Sequence, residues 1–521
     1  MPARAHLPTL GDGSEMTAGD ERRLGDRIAR SLYRDPDYVD DPVLVEYIQN
    51  TWTALVEAAK ARGELSPELD ERFAWRVLLG RDRSVNAFAL PGGYLGVHCG
   101  LIAITTSRDE LASVLAHELS HVTQRHISRL MTQQSRTTPL MLAAMVLGAL
   151  AASKSPQAAN ALVVGGTALH AQAQLNFSRD MEREADRVGY GVMTQAGFSG
   201  YGFASMFEKL QQASRINDNG SYPYLRSHPL TTERIADMRS RLPLGAAPPP
   251  DDVVAMPAIG AGSAAATGAG VPADEATGAT VTVTARRSSA LEHAMIAARA
   301  RVVSRPGVDV LRAWGGEPDQ SGFGALPRPR QAAALYAGAL AALEQRDGDR
   351  ARRHATRLAS LVAGDVRAAR LVRLLQADIE LAAGRGPAAV QALLPTGVTA
   401  LPLRTGRPEL LAYAQARPLG VSAPDLSGRL QTWVATHPDD ATAWQALATV
   451  YRAEQQPLRA LRAEAEAQVA HLDWAGAVDR YKAGQEFMRR GGPGADYMEA
   501  SIIDTRLREA ESRLREQAAE R

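Results

Sequence analysis

Between residues 108 and 130 apolar side chains recur at helical spacing, with Leu111, Val114, Leu115, Leu119 and Val122 on one stripe. Ser107 followed by Glu110 reads as a capping box that opens this helix. Upstream, Leu24, Ile28 and Leu32 share a helical face, and residues 43–59 predict a second helix, with Pro36 and Pro42 at the join. The period then shortens: 75–79, 85–90 and 94–98 read as strands, with Pro91, Gly92 and Gly93 in a tight turn, giving a small hairpin-rich sheet just before the 108–130 helix. Beyond that helix, 139–152 and 158–173 are apolar, and a buried helical hairpin is favoured over a mobile flap. Neither run reaches the roughly 20 apolar residues of a membrane span. Residues 244–285 are rich in Pro, Ala, Gly and Thr and predict a flexible linker. From 290 to 521 the pattern is helical throughout, and His437 to Ala448 with Tyr451 fits a tetratricopeptide repeat, of which 335–355 looks like a degenerate copy. The expected domains are therefore 1–243, a linker over 244–289, and a repeat domain over 290–521.

The helix at 108–130 carries His117-Glu118-Leu119-Ser120-His121. Residues four apart share a helical face, so both imidazoles can grip one cation while Glu118 handles a proton beside it. A catalytic zinc needs three protein ligands and an open position. His126 falls on the opposite face if the helix continues, and Gln124 stands where the long metzincin motif has glycine, so His126 reads as a core or surface histidine. The run Ser178 to Asp186 offers a better third ligand: Glu182 and Asp186 share a face, while Glu184 is rotated by about 200° and points away. Glu182 would bind the metal and Asp186 would fix a histidine tautomer, with Ala185 leaving room for close helix approach. A solvated acidic face is the alternative. Arg234, His228, Tyr222 and Tyr224 are candidate donors to a developing oxyanion.

Composition narrows the chemistry. At 521 residues the chain exceeds one ordinary core, and a net charge of +1 gives no reason to expect nucleic acid. Cys99 is the only cysteine, so no intrachain disulfide or cysteine metal cluster can form. The first eight residues hold no apolar signal core, which implies a cytoplasmic protein or a mature form with its signal removed.

Taken in order, the HExxH motif, Ser178 to Gly189, Ser227-His228-Pro229 and Glu233-Arg234-Ile235 resemble the gluzincin metallopeptidases that include the CAAX prenyl endopeptidase and HtpX. Asn86 to Ala89, Pro91-Gly92-Gly93 and His121 to His126 look closest to the BepA-like branch of soluble periplasmic members with a tetratricopeptide-repeat tail. The resemblance implies an α+β fold: a mostly helical zincin-type domain with a small β-sheet, followed by an all-α repeat solenoid. It further implies one zinc ion per chain on His117, His121 and Glu182, with Glu118 as general base. His228 would either swing in as a fourth ligand, hydrogen-bond the transition state, or only pack its loop. The expected activity is zinc-dependent cleavage of unfolded or misassembled envelope proteins in the periplasm. The expected partners are protein substrates and outer-membrane assembly machinery, with no transmembrane segment and peripheral membrane contact left open. The competing class is a chaperone or scaffold with a latent metal site. An intact Glu118 favours the enzyme, because a structural site needs no base.

Overall fold

The computed structural model describes residues 16–133, 177–216, 222–243 and 289–519, apart from 396, 399–401, 403, 404 and 491–495. The expectations for 139–173, for the linker over 244–285 and for residues 1–15 lie outside the described residues.

Helix α1 (Ala18–Tyr33) opens on Thr17, whose hydroxyl accepts the Asp20 N–H, and α2 (Pro42–Ala61) opens on Asp41, with proline in its first turn. A short α3 (Pro67–Arg72) leads into three strands, β1 (Arg76–Gly80), β2 (Ala87–Leu90) and β3 (Tyr94–His98). The expected hairpin is present between β2 and β3, where Phe88 pairs with Gly96. The sheet is not a run of hairpins, however: its order is β1-β3-β2, and β1 lies parallel to β3 with Leu78 opposite Gly96. The central β3 is buried along its whole length, and β2 is an edge strand packed on the HExxH helix.

Helix α4 (Cys99–Ile104) follows β3 directly, and α5 (Arg108–Thr123) carries the HExxH motif. Ser107 Oγ accepts the Glu110 N–H at 3.2 Å, as its sequence pattern predicts. The continuous helix expected over 108–130 breaks. After Thr123 and Gln124 the chain enters a left-handed conformation at Arg125, φ 53°, and restarts as α6 (His126–Gln133). Arg125 is held there by Glu21 at 3.2 Å and by the Met16 carbonyl. Helices α7 (Arg179–Gln195) and α8 (Tyr201–Ile216) pack on α5, and the short α9 (Tyr224–Ser227) and α10 (Thr232–Ser240) close this part of the molecule.

The C-terminal part is a succession of helices: α11 (Ala290–Val303), α12 (Val308–Gly316), α13 (Arg328–Glu344), α14 (Gly348–Leu361), α15 (Val366–Ala382), α16 (Gly386–Leu393), α17 (Arg407–Ala416), α18 (Leu426–Thr436), α19 (Ala441–Ala453), α20 (Pro457–Ala470), α21 (Trp474–Arg489) and α22 (Tyr497–Ala519). Most pack chiefly on sequence neighbours, as a solenoid requires. In the 437–448 segment Asp440 caps α19, and Trp444, Leu447 and the following Tyr451 are buried. No helix among the described residues is long and apolar enough to cross a membrane.

The two parts share one apolar core. Ile48 and Trp52 of α2, Leu119 of α5, Met295 of α11, Tyr336 of α13 and Leu375 of α15 belong to it, with α11 packed on α2 and α4 and α17 packed on α2. Buried polar contacts cross the same seam. Arg299 holds Asp41 at 2.8 Å and Asp378 at 3.1 Å, and His293 sits 2.8 Å from the Tyr47 hydroxyl and 3.2 Å from the Thr105 carbonyl. Arg370 bridges Glu46 and Glu409, and Arg407 bridges Asp40 and Asp440.

Candidate metal centre

His117 and His121 project from one face of α5, as their spacing predicts, and their Nε2 atoms lie 3.0 Å apart. Glu182 on α7 approaches from above, with Oε2 3.6 Å from His117 Nε2 and Oε1 3.5 Å from His121 Nε2. His228, in the turn after α9, places Nδ1 2.9 Å from Glu182 Oε1 and 3.3 Å from His117 Nε2. One ligand atom from each of these four buried residues falls within 4.8 Å of the others.

Helix packing creates this convergence. Ser178 Oγ caps α7 by accepting the Met181 N–H, and Ala185 faces α5 fully buried. At Gly189 the two helices nearly touch: a Cβ there would lie 3.0 Å from the Ala116 carbonyl oxygen and 3.1 Å from the His117 nitrogen. That approach lets Asp186 Oδ1 accept the His117 Nδ1–H at 2.9 Å, which leaves the Nε2 lone pair pointing at the cluster. Arg234 then grips Asp186 through two nitrogens at 2.6 and 2.8 Å and the Pro229 carbonyl at 2.8 Å. The nitrogen that donates to Pro229, Nη1, also lies 2.7 Å from Glu182 Oε2. The group proposed from sequence as an oxyanion donor is thus committed to carboxylates. Of the two tyrosines, Tyr224 is buried and stacks on His228 with ring centroids 4.7 Å apart, whereas Tyr222 is half-buried.

Glu118 is fully buried beside the cluster. Its Oε2 accepts the Ala89 N–H from the edge strand at 2.8 Å, and its Oε1 lies 3.4 Å from His228 Nε2. Burial pushes its carboxyl above the usual range despite the opposing His228 and His117. Burial would raise Glu182 too, but the charge and hydrogen bond of His228 outweigh it and hold that carboxyl well below its ordinary range. His121 is driven the other way, its cationic form disfavoured chiefly by burial.

This donor set fits a divalent cation. With both Nε2 lone pairs turned inward, a cation between the two imidazoles relieves their repulsion at 3.0 Å, and ligands about 2.0–2.1 Å from a tetrahedral zinc stand at comparable separations. Glu118 Oε1 is moreover a buried oxygen that accepts no hydrogen bond.

Two neighbours escaped the sequence reading. His126, expected on the far face, is fully buried with Nδ1 2.9 Å from His121 Nδ1, because the break at Arg125 turns it back onto α5. Glu184 does point away from Glu182, as expected, but onto His126. Phe177 lays its ring over His121, with centroids 3.9 Å apart. No glycine or proline marks the break, and nothing in the residue pattern points to it.

Residues 48–242 match the model of Peptidase family M48. The chain is 38% identical over 237 residues to the putative beta-barrel assembly-enhancing protease of Vibrio cholerae, covering 45% of this chain and 47% of that protein. It is 34% identical over 237 residues, with the same coverage, to the beta-barrel assembly-enhancing protease of Escherichia coli K12. Against the mitochondrial metalloendopeptidase OMA1 of Saccharomyces cerevisiae it is 28% identical over 201 residues, covering 38% of this chain and 55% of that protein. The match spans about half the length of the beta-barrel assembly-enhancing proteases.

Proposed function

From a chain whose residues 48–242 form a peptidase family M48 domain, we propose a zinc endopeptidase that cleaves unfolded or misassembled envelope proteins in the periplasm. The observation that carries this reading is the buried cluster of His117, His121, Glu182 and His228 with Glu118 beside it. Zinc held by His117, His121 and Glu182 would acidify a water and polarise a scissile carbonyl. Glu118 is the general base: Oε2 is pinned by the Ala89 N–H, and Oε1, which accepts no hydrogen bond, is the atom that takes the proton and passes it to the leaving amine. Asp186 sets the His117 tautomer, and Arg234 orients Asp186 and Glu182 as a positioning residue. The edge strand β2 beside Glu118 suits a substrate added as an extended strand, which brings its carbonyl to the base. The C-terminal helices serve as tetratricopeptide-like repeats that hold the protein substrate or a component of outer-membrane assembly, a role suggested by the names of the V. cholerae and E. coli relatives.

One observation favours a second state of the same enzyme. His228 lies within ligand distance of the other three residues and also against Glu118, so as a fourth ligand it would hold the site latent. His228→Ala then raises proteolysis; a fall would assign His228 to the transition state instead.

The test is cleavage of casein by zinc-loaded wild type and Glu118→Gln. Cleavage by wild type alone supports the enzyme, and equal cleavage by both refutes Glu118 as base. Silence from both, together with robust chaperone activity in Glu118→Gln, favours a chaperone or scaffold with a latent site.

A further inference from the structure

His126 and Glu184 take no part in the reading above, yet they form an unbroken line into it. His121 Nδ1 lies 2.9 Å from His126 Nδ1, His126 Nε2 lies 3.0 Å from Glu184 Oε2, and Arg129 donates to the same oxygen at 2.9 Å. His126 is fully buried, and the Glu184 side chain is 30% exposed.

With His126 neutral, the protons on this line have one consistent arrangement. A hydrogen bond between two ring nitrogens needs a proton on one and a lone pair on the other. The Glu184 carboxylate can only accept, so His126 Nε2 carries a proton. In a neutral imidazole its Nδ1 is then the acceptor. His121 must therefore donate from Nδ1, which leaves its Nε2 lone pair facing His117 and Glu182. The reverse arrangement would set the His126 Nε2 lone pair against a carboxylate oxygen 3.0 Å away and turn a proton of His121 into the cluster.

We propose that His126 and Glu184 are positioning residues that fix His121 in its metal-binding tautomer, as Asp186 does directly for His117. The left-handed turn at Arg125 makes the line possible. Without it His126 would continue α5 and face away, and its anchorage to the buried Glu21 keeps the turn in place. The two ligating histidines are thus supported differently: His117 by a carboxylate in contact, His121 by a carboxylate acting through a second imidazole. This inference rests on the metal-site reading above.

The experiment measures zinc affinity of the full chain by competition with a chromophoric chelator, alongside thermal unfolding of the metal-free protein. Loss of such a support typically weakens metal binding about 10–100-fold. Glu184→Ala, at a partly exposed position, is expected to weaken zinc about tenfold with the metal-free protein still folded and its melting point changed little. Glu184→Gln, whose amide oxygen still accepts from His126 Nε2, restores most of the affinity, and Asp180→Ala, on the exposed face of α7, leaves it at the wild-type value. Nitrogen-15 histidine spectra of the zinc-loaded wild type are expected to show His126 protonated at Nε2 and His121 at Nδ1. Wild-type affinity in Glu184→Ala, with zinc lost in His121→Ala, would overturn the support line and leave the metal site standing. A wild-type chain that takes up no zinc would overturn both.

Discussion

Arg234 is the residue whose place in the fold most changes its expected role. A guanidinium reaching for substrate keeps donors free, but this one is fixed against Asp186, Glu182 and the Pro229 carbonyl in a nearly solvent-free setting. Removing one partner of a buried charge network leaves the others uncompensated, at a cost of about 3–5 kcal/mol. Arg234→Ala is expected to lower stability by that order in urea unfolding of the metal-free protein. Arg234→Lys recovers only part, because an ammonium cannot span both oxygens of Asp186. A variant that kept full stability while losing only turnover would return Arg234 to the role of oxyanion donor. Residues of this kind divide sharply in legibility. His117, His121, Glu182 and Asp186 could be paired in advance because a helix repeats every 3.6 residues and spacings of four share a face. His126 could not, since its position depends on Arg125 adopting a conformation that its residue type does not favour.

Among the elements, the contact between α5 and α7 decides whether the cluster forms. Gly189 permits it, and a Cβ there would press on the backbone at Ala116 and His117, which cannot give way like a flexible side chain. Overpacking of this kind costs about 1–3 kcal/mol. Gly189→Val is expected to destabilise the protein by that amount and to weaken zinc uptake, because Glu182 and Asp186 ride on the displaced helix; Gly189→Ala should do less of both. Unchanged zinc affinity in a folded Gly189→Val would separate helix spacing from the site. The helix pair was legible from its capping residues and apolar stripes, and the β2–β3 hairpin from the Pro-Gly-Gly turn. The parallel pairing of β1 with β3 was not, because local pattern marks a strand without naming its partner.

At the scale of the molecule, the seam between α2, α4 and the C-terminal helices governs stability. Burial pushes the His293 imidazole down to about 4. An unfolded imidazole takes its proton near 6.5, so between these values the unfolded state binds the more protons. Stability is therefore full above about pH 6.5 and falls as pH drops toward 4, by up to about 3 kcal/mol from this group. His293→Gln, which does not titrate, is expected to flatten that part of the stability curve measured by denaturant at pH 7, 6 and 5; an unchanged slope would place the acid sensitivity elsewhere. The helical character of 290–521 was plain from its sequence, but the docking was not, since Arg299 and Asp41 lie far apart in the chain.

The apolar core that passes from α5 through α2 to α11 and α15 also gives the molecule a fail-safe. If heat or damage melts the first C-terminal helices, α2 and α4 lose their cover, and the scaffold beneath Glu118 goes with them. A residue 1–243 fragment is accordingly expected to be insoluble or unfolded, rather than a smaller active protease. On the proposed function, melting of the helices that would hold substrate would thus disarm the cutting part as well.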